Sequence, residues 1–286
     1  MALKQRVNSD VHLAIREEYK KCAMDPVYFF RKYSIIEHPT RGRIPFKFYP
    51  FQEDTFNQFQ QHRFNIILKS RQMGISTLVA GYALYCMLFK ESFKVLVIAV
   101  TQDVAKNLVS KIKVMHENLP VFLRGKIVDD NKLELSFTNG SSVKAVSSSP
   151  TAARSHGLSL LIIDEFAFVD RSEDVWAASQ MTLSTGGDAI LLSTPNGIGN
   201  QFHKLFTQAE EGKVVEGVPS FNPIRLPWHL HPERDQKWRD LQTELLGPRL
   251  AGQECDCIGG ESEITVRDKI THEIKKVQIR DLFNEL

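Results

Sequence analysis

The stretch Phe64-Asn65-Ile66-Ile67-Leu68-Lys69-Ser70-Arg71-Gln72-Met73-Gly74-Ile75-Ser76-Thr77 decides the fold. Its first five residues form a short, mainly apolar run, which reads as a strand buried on both faces. A tight turn with a glycine and Ser/Thr residues follows, and 76–89 has the composition of a helix. Three further apolar runs, at 95–100, 158–163 and 189–192, are of the same kind, and a second helical stretch spans 103–117. Strands alternating with helices predict an α/β protein with a mainly parallel sheet. One hairpin is expected to interrupt the alternation. The runs 133–138 and 141–146 flank Asn139-Gly140, the signature of a two-residue type I′ turn.

Outward from this centre the signals thin. Asp25-Pro26-Val27-Tyr28-Phe29-Phe30 places an acid at a helix cap and a proline at the first helical position. Beyond Phe206 the sequence is loop-rich, then helical over 232–246, and it closes with β-like runs at 264–266 and 274–279. The chain has 286 residues, 42% of them apolar, enough for a sizeable core. Its formal charge is only +2, so any nucleic-acid contact must come from a local patch. No run is apolar enough to span a membrane, and the charged start is not a secretion signal. Cys22, Cys86, Cys255 and Cys257 show neither metal-ligand spacing nor a disulfide framework. They fit a reducing compartment.

The strand, turn and helix at 64–89 supply the context of a phosphate-binding loop, in which backbone N–H groups and a helix N-terminus face an anion. The expected ligands of a nucleoside triphosphate are Lys69, Ser70, Arg71, Gln72, Met73, Gly74, Ile75, Ser76 and Thr77, with the Ser76 hydroxyl on Mg²⁺. The pattern departs twice from G-x-x-x-x-G-K-[ST]. Ile75 stands where the lysine belongs, and Lys69 stands where the first glycine belongs. Lys69 at the front of the loop can still reach the β- and γ-phosphates, and Ile75→Ala is expected to change little. An ordinary strand–helix turn with a solvated lysine is the competing reading.

Leu160-Leu161-Ile162-Ile163-Asp164-Glu165 is an apolar strand ending in two carboxylates. Asp164 would hold the Mg²⁺ shell, and Glu165 would activate the attacking water as general base. Ser193 and Thr194, before Pro195-Asn196-Gly197, would sense the γ-phosphate; a plain strand followed by a turn is the alternative. Gln52 would read the adenine edge, or else be a surface glutamine. Arg71 and Arg154 are both candidates for a guanidinium on the γ-phosphate, with surface ion pairs as the alternative.

Taken together, 69–76, 160–165 and 193–197 resemble, in order and spacing, the motor domain of tailed-phage terminase large subunits. So do Asp25-Pro26-Val27-Tyr28-Phe29, Ser148-Ser149-Pro150 with Arg154, and Trp228-His229-Leu230-His231-Pro232-Glu233. The resemblance implies a P-loop ASCE/RecA-like motor that takes ATP and Mg²⁺ and pumps double-stranded DNA. It implies a homo-oligomeric ring docked on the capsid portal protein, a terminase small subunit as partner, and the cytoplasm of an infected bacterium as location. Some terminases similarly carry a displaced lysine at the front of the loop. The nuclease domain of the family would begin just after Asp256 and is expected to be missing here. A helicase-like DNA-dependent ATPase shares the same motifs but would need a second domain.

The tail resembles something else. Cys257-Ile258-Gly259-Gly260-Glu261-Ser262-Glu263-Ile264-Thr265-Val266 is similar to the first block of an intein, a β-rich Hint fragment. The resemblance implies Cys257 as the nucleophile that attacks the Asp256 carbonyl. Thr271-His272 has the wrong spacing for the activating Thr-x-x-His block. The resulting expectation is a motor domain over 1–213, a small subdomain over 214–256 and an N-terminal intein fragment over 257–286. A separate chain would supply the remaining intein and the nuclease domain by trans-splicing. A catalytically silent splicing precursor, or a truncated frame, is the alternative.

Overall fold

The computed structural model describes residues 2–148, 157–212, 220–257, 263–267 and 272–278. In chain order its elements begin with α1 (Ala2–Met24), α2 (Pro26–Tyr33), β1 (Ile35–His38), β2 (Gly42–Pro45), α3 (Pro50–Gln61), β3 (Phe64–Lys69) and α4 (Ile75–Phe89). Next come β4 (Lys94–Ala99), α5 (Gln102–Glu117), β5 (Ile127–Asn131), β6 (Glu134–Phe137), β7 (Ser142–Ser147) and β8 (Leu160–Asp164). The last are α6 (Ser172–Thr182), β9 (Asp188–Ser193), α7 (Gln201–Glu210), β10 (Asn222–Leu226), α8 (Gln236–Ala251), β11 (Glu263–Arg267) and β12 (Ile274–Gln278).

The central sheet has eight strands in the order β10-β3-β9-β8-β4-β7-β6-β5. The first six run parallel; β6 pairs antiparallel with β7, and β5 antiparallel with β6. β3 and β8 are buried along their whole length, as expected of strands covered on both faces. Alternate residues feed two cores. Ile67, Val97, Leu160, Ile162 and Leu192 pack with α2, α3, α4 and α5 on one face. Ile66, Leu96, Ile163 and Leu191 pack with Phe166, Trp176, Phe202 and Phe206 on the other. The result is a three-layer α/β fold.

Helix α4 is the central pillar, with eleven of its fifteen residues buried. Gly81 is required there, because a Cβ on it would lie 1.6 Å from the Phe30 ring. Phe30 itself is held by α2, whose start follows the sequence expectation: the Asp25 carboxylate accepts from the Tyr28 N–H at 2.8 Å, and Pro26 occupies the first turn.

The hairpin at Asn139-Gly140 forms but not with the expected turn. Gly140 has φ +82 while Asn139 is not in the left-handed region, and the Gly140 N–H donates to Phe137 O at 3.0 Å. The loop therefore has three residues and ends in a left-handed glycine, instead of a two-residue type I′ turn. Asn139 is recruited elsewhere: its amide donates to Met87 O at 2.8 Å and its carbonyl oxygen accepts the Ser141 N–H at 3.0 Å. The hairpin also does not stand apart, since β7 pairs in parallel with β4. Within the loop-rich stretch after Phe206, β10 adds an edge strand beside β3, and its Pro223 is of the kind tolerated at an edge. In the tail, β11 and β12 pair antiparallel over Glu263↔Gln278 to Arg267↔Ile274. No described helix is long and apolar enough to cross a membrane.

Candidate active site

The ends of β3 and β8 are separated by one strand, β9, and both chains turn at the same edge of the sheet. After β3 the loop 70–74 takes two left-handed residues, Gln72 at φ +58 and Gly74 at φ +75. Gly74 is constrained doubly, because a Cβ there would meet the Gln52 amide nitrogen at 2.6 Å. The turn delivers Ile75 and Ser76 to the start of α4, where the first N–H groups have no intrahelical acceptor. That is a ready anion site.

Four of the expected residues converge there. Lys69 Nζ, almost fully buried, lies 3.0 Å from Glu165 Oε1. The Ser76 hydroxyl donates to Asp164 Oδ2 at 2.9 Å. Glu165 sits at φ +54, a left-handed conformation that is strained for a glutamate, and its own N–H donates to Asp164 Oδ1 at 3.0 Å. Burial raises the pKa of Asp164, partly offset by the Lys69 charge. Ser76 and Asp164 present adjacent hard oxygen donors, the chemistry that suits Mg²⁺ with water and phosphate in the other positions.

A cavity of about 790 Å³ opens in front of these groups. Its lining includes Arg71, Ser76, Thr77, Asp164, Glu165 and Thr194, together with Glu37, His38, Asn107 and Lys111. Thr194 approaches Glu165 Oε2 through its N–H at 3.5 Å. Ser193 is fully buried, and its hydroxyl accepts the Ala167 N–H at 3.1 Å, bracing the turn after Glu165. Asn196 donates to Ala167 O at 3.0 Å and braces the same turn.

Other expected residues stand elsewhere. Ile75 is a core residue, 1% exposed, so its side chain contributes packing and only its backbone faces the site. Gln52 is buried behind the loop and not on the cavity wall. Its Nε2 donates to Met73 O at 2.9 Å and its Oε1 accepts the Tyr49 N–H at 3.0 Å, so the amide fixes the loop instead of presenting an edge to a base. Arg71 reaches the cavity mouth, exposed and paired with Glu254 at 3.2 Å. Arg154 lies outside the described residues. Cys257 is buried and its thiol donates to Leu226 O at 3.3 Å. Burial pushes that thiol up to about 12, the reverse of an activated nucleophile. No group of three His, Cys, Asp or Glu that could hold a metal occurs among the described residues.

Sequence reading missed the underside of the loop. The Arg71 N–H donates to Glu254 O at 2.7 Å, the Ser70 N–H to Leu226 O at 2.8 Å, and the Ser70 hydroxyl to Glu254 O at 3.2 Å. Arg234 contacts the loop from the same side. These partners come from more than 150 positions away in sequence, and no local pattern signals them.

Residues 66–269 match the family model described as terminase large subunit, T4likevirus-type, N-terminal. The chain belongs to the terminase large subunit family. Its matched segment includes the loop, the acidic strand and α8, and runs past Asp256. Among solved structures, the ATPase domain of the Thermus phage P74-26 large terminase is similar over 73% of this chain and 93% of its own, with TM-score 0.59 and 23% identity. The HK97 bacteriophage large terminase is similar over 86% of this chain but 56% of its own length, with TM-score 0.66 and 16% identity. A large terminase from a thermophilic bacteriophage, solved in complex with ADP, is similar over 73% of this chain and 52% of its own, with TM-score 0.58 and 12% identity. This chain thus spans little more than half of those two longer terminases. At these identities the likeness establishes a shared fold, that of a terminase ATPase domain.

Proposed function

We propose that this terminase domain hydrolyses ATP at the Lys69–Glu165 site and uses the energy to move double-stranded DNA. The observation that carries the reading is that Ser76, Asp164 and Glu165 line one cavity at the start of α4, with Lys69 paired to Glu165 behind them. The ADP complex of a terminase with the same fold supports a nucleotide as occupant.

In this reading the phosphates lie against the N-terminus of α4 and the loop amides. Ser76 and Asp164 would hold Mg²⁺, which when bound neutralises phosphate charge. Lys69 exchanges its contact with Glu165 for phosphate oxygens. Glu165, released from the ammonium, accepts a proton from the water that attacks the γ-phosphorus. The bond from the γ-phosphorus to the bridging oxygen breaks, and ADP carries away the electron pair. Arg71, or Arg154, would stabilise charge on the transferred group. Thr194, whose N–H faces Glu165, is placed to couple that change to β9. Portal protein, small subunit and a ring of copies are the partners the family reading supplies.

The test is ATP turnover by the purified chain with and without double-stranded DNA, beside Glu165→Gln. Nucleotide binding with no turnover by the variant is the expected result. Equal turnover by both forms would remove Glu165 from the mechanism.

A second proposal concerns the tail: that 257–286 is the N-terminal part of an intein which joins this domain to a nuclease half by trans-splicing. The sequence resemblance at 257–266 and the β11–β12 hairpin support it. With the Cys257 thiol buried, the attack on the Asp256 carbonyl would require the remainder of the intein to draw this segment out. Peptide mass spectrometry on infected cells decides it. Asp256 joined to a residue other than Cys257 supports splicing, and only Asp256-Cys257 refutes it.

A further inference from the structure

Arg234 lies between β10 and α8, directly after the 228–233 stretch and more than 150 positions from the phosphate loop in sequence. Its guanidinium makes four contacts with the phosphate loop. One nitrogen donates to the Ser70 hydroxyl at 3.1 Å and to Met73 Sδ at 3.5 Å. The other donates to the Arg71 carbonyl at 2.9 Å and to the Gln72 carbonyl at 3.3 Å. The guanidinium also stacks on the Trp238 ring, 4.4 Å from its centroid. The residue's own backbone is pinned, since the Arg234 N–H donates to His231 O at 3.0 Å and Asp235 caps α8 through the Trp238 N–H at 2.8 Å. Arg234 is not among the residues that line the cavity, and its guanidinium is held against the loop's own carbonyls.

Its effect on the site follows from the planar trans peptide. The C=O of one residue and the N–H of the next point in opposite directions. Fixing the Arg71 and Gln72 carbonyls from beneath therefore aims the Gln72 and Met73 N–H groups to the other side of the loop. Gln52 does the same for the next unit, by holding the Met73 carbonyl and so orienting the Gly74 N–H. Three consecutive peptide units are set from outside the loop. The middle of the loop, at Gln72, sits in a left-handed conformation that a non-glycine residue does not hold unaided.

We propose that Arg234 is a positioning residue for nucleotide binding. It orients the Gln72 and Met73 amides toward the phosphates by gripping two carbonyls, and it does so through its fork geometry. The inference rests on the phosphate-loop reading above. Lysine offers a single rotating ammonium and cannot span both carbonyls while stacking on Trp238.

The test measures ADP affinity by calorimetry, and ATP KM and kcat, for the full chain, Arg234→Lys and Arg234→Ala. Circular dichroism and thermal melting accompany each. The expected result is ADP affinity weakened, and KM raised, by roughly tenfold or more in Arg234→Ala, with a smaller change in kcat. Arg234→Lys should recover only part of the loss, and it carries the test alone if the alanine variant does not fold. Unchanged KM in either variant that folds, or full recovery by lysine, overturns the proposal. If the unaltered chain binds neither ADP nor ATP, the phosphate-loop reading fails and Arg234 has no nucleotide to position.

Discussion

The cavity beside Glu165 and the Asp256-Cys257 segment are neighbours that hold their polar groups in opposite ways. The Leu226 carbonyl joins them, accepting from the Ser70 N–H at 2.8 Å and from the Cys257 thiol at 3.3 Å. At the cavity an acid and an ammonium hold each other at 3.0 Å, and the Glu165 side chain stays 32% exposed. At Asp256-Cys257 the Asp256 carboxylate is gripped by Nε and Nη2 of Arg239, each at 2.5 Å, Arg225 donates to the Cys257 carbonyl at 3.1 Å, and Cys257 is 1% exposed. One region can exchange partners when a ligand enters. The other has its hydrogen bonds satisfied and its thiol protonated. Residue type alone does not confer reactivity; access and local charge do.

The largest break in this contrast is Glu165→Gln. Turnover should fall by about a thousandfold with ADP affinity retained, measured by phosphate release and calorimetry. Lys69→Ala should cost on the order of a hundredfold in turnover, because a charged donor at the phosphates is lost. Retained activity would show that the front-of-loop lysine is only an ion-pair partner. Ile75→Ala sharpens the comparison from the other side. Ile75 is fully packed, so the variant should lose about 2–4 kcal/mol of stability by denaturant titration while the folded fraction keeps its nucleotide affinity.

The smallest effect concerns the thiol. Iodoacetamide at pH 8 should label Cys257 slowly in the folded chain and rapidly in denaturant, as read by peptide mass. The sign follows from its pKa, raised by burial from 9.0 to about 12. The folded state favours the protonated thiol, so its stabilising contribution is complete below pH 9 and is lost as pH rises toward 12. Fast labelling of Cys257 at pH 8 in the native chain would show that this segment opens unaided.

Much of the cavity was legible because its signals are local. A buried strand, a glycine turn and a helix at 64–89, and an apolar strand ending in Asp164-Glu165, each announce themselves by composition. Ile75 was recognised as a departure from the lysine pattern, but its role in the core was not, since a lone isoleucine carries no sign of which way it faces. Gln52 was assigned to a base because its capacity for paired hydrogen bonds is visible in sequence. That the capacity is used on Tyr49 and Met73 is visible only in three dimensions. The Asn139 turn failed for a similar reason, as its side chain bonds to the end of α4 and overrides the local turn preference.

By itself the sequence determined the layers, the parallel strands and the two carboxylates at the end of β8, because period and apolar runs are set by near neighbours. Tertiary structure decided which charges meet. It brought Lys69 to Glu165 across 96 positions, set Arg234 beneath the loop and buried Cys257. Such pairings depend on strand order and loop path, and these arise from the packing of the whole core and not from any one segment.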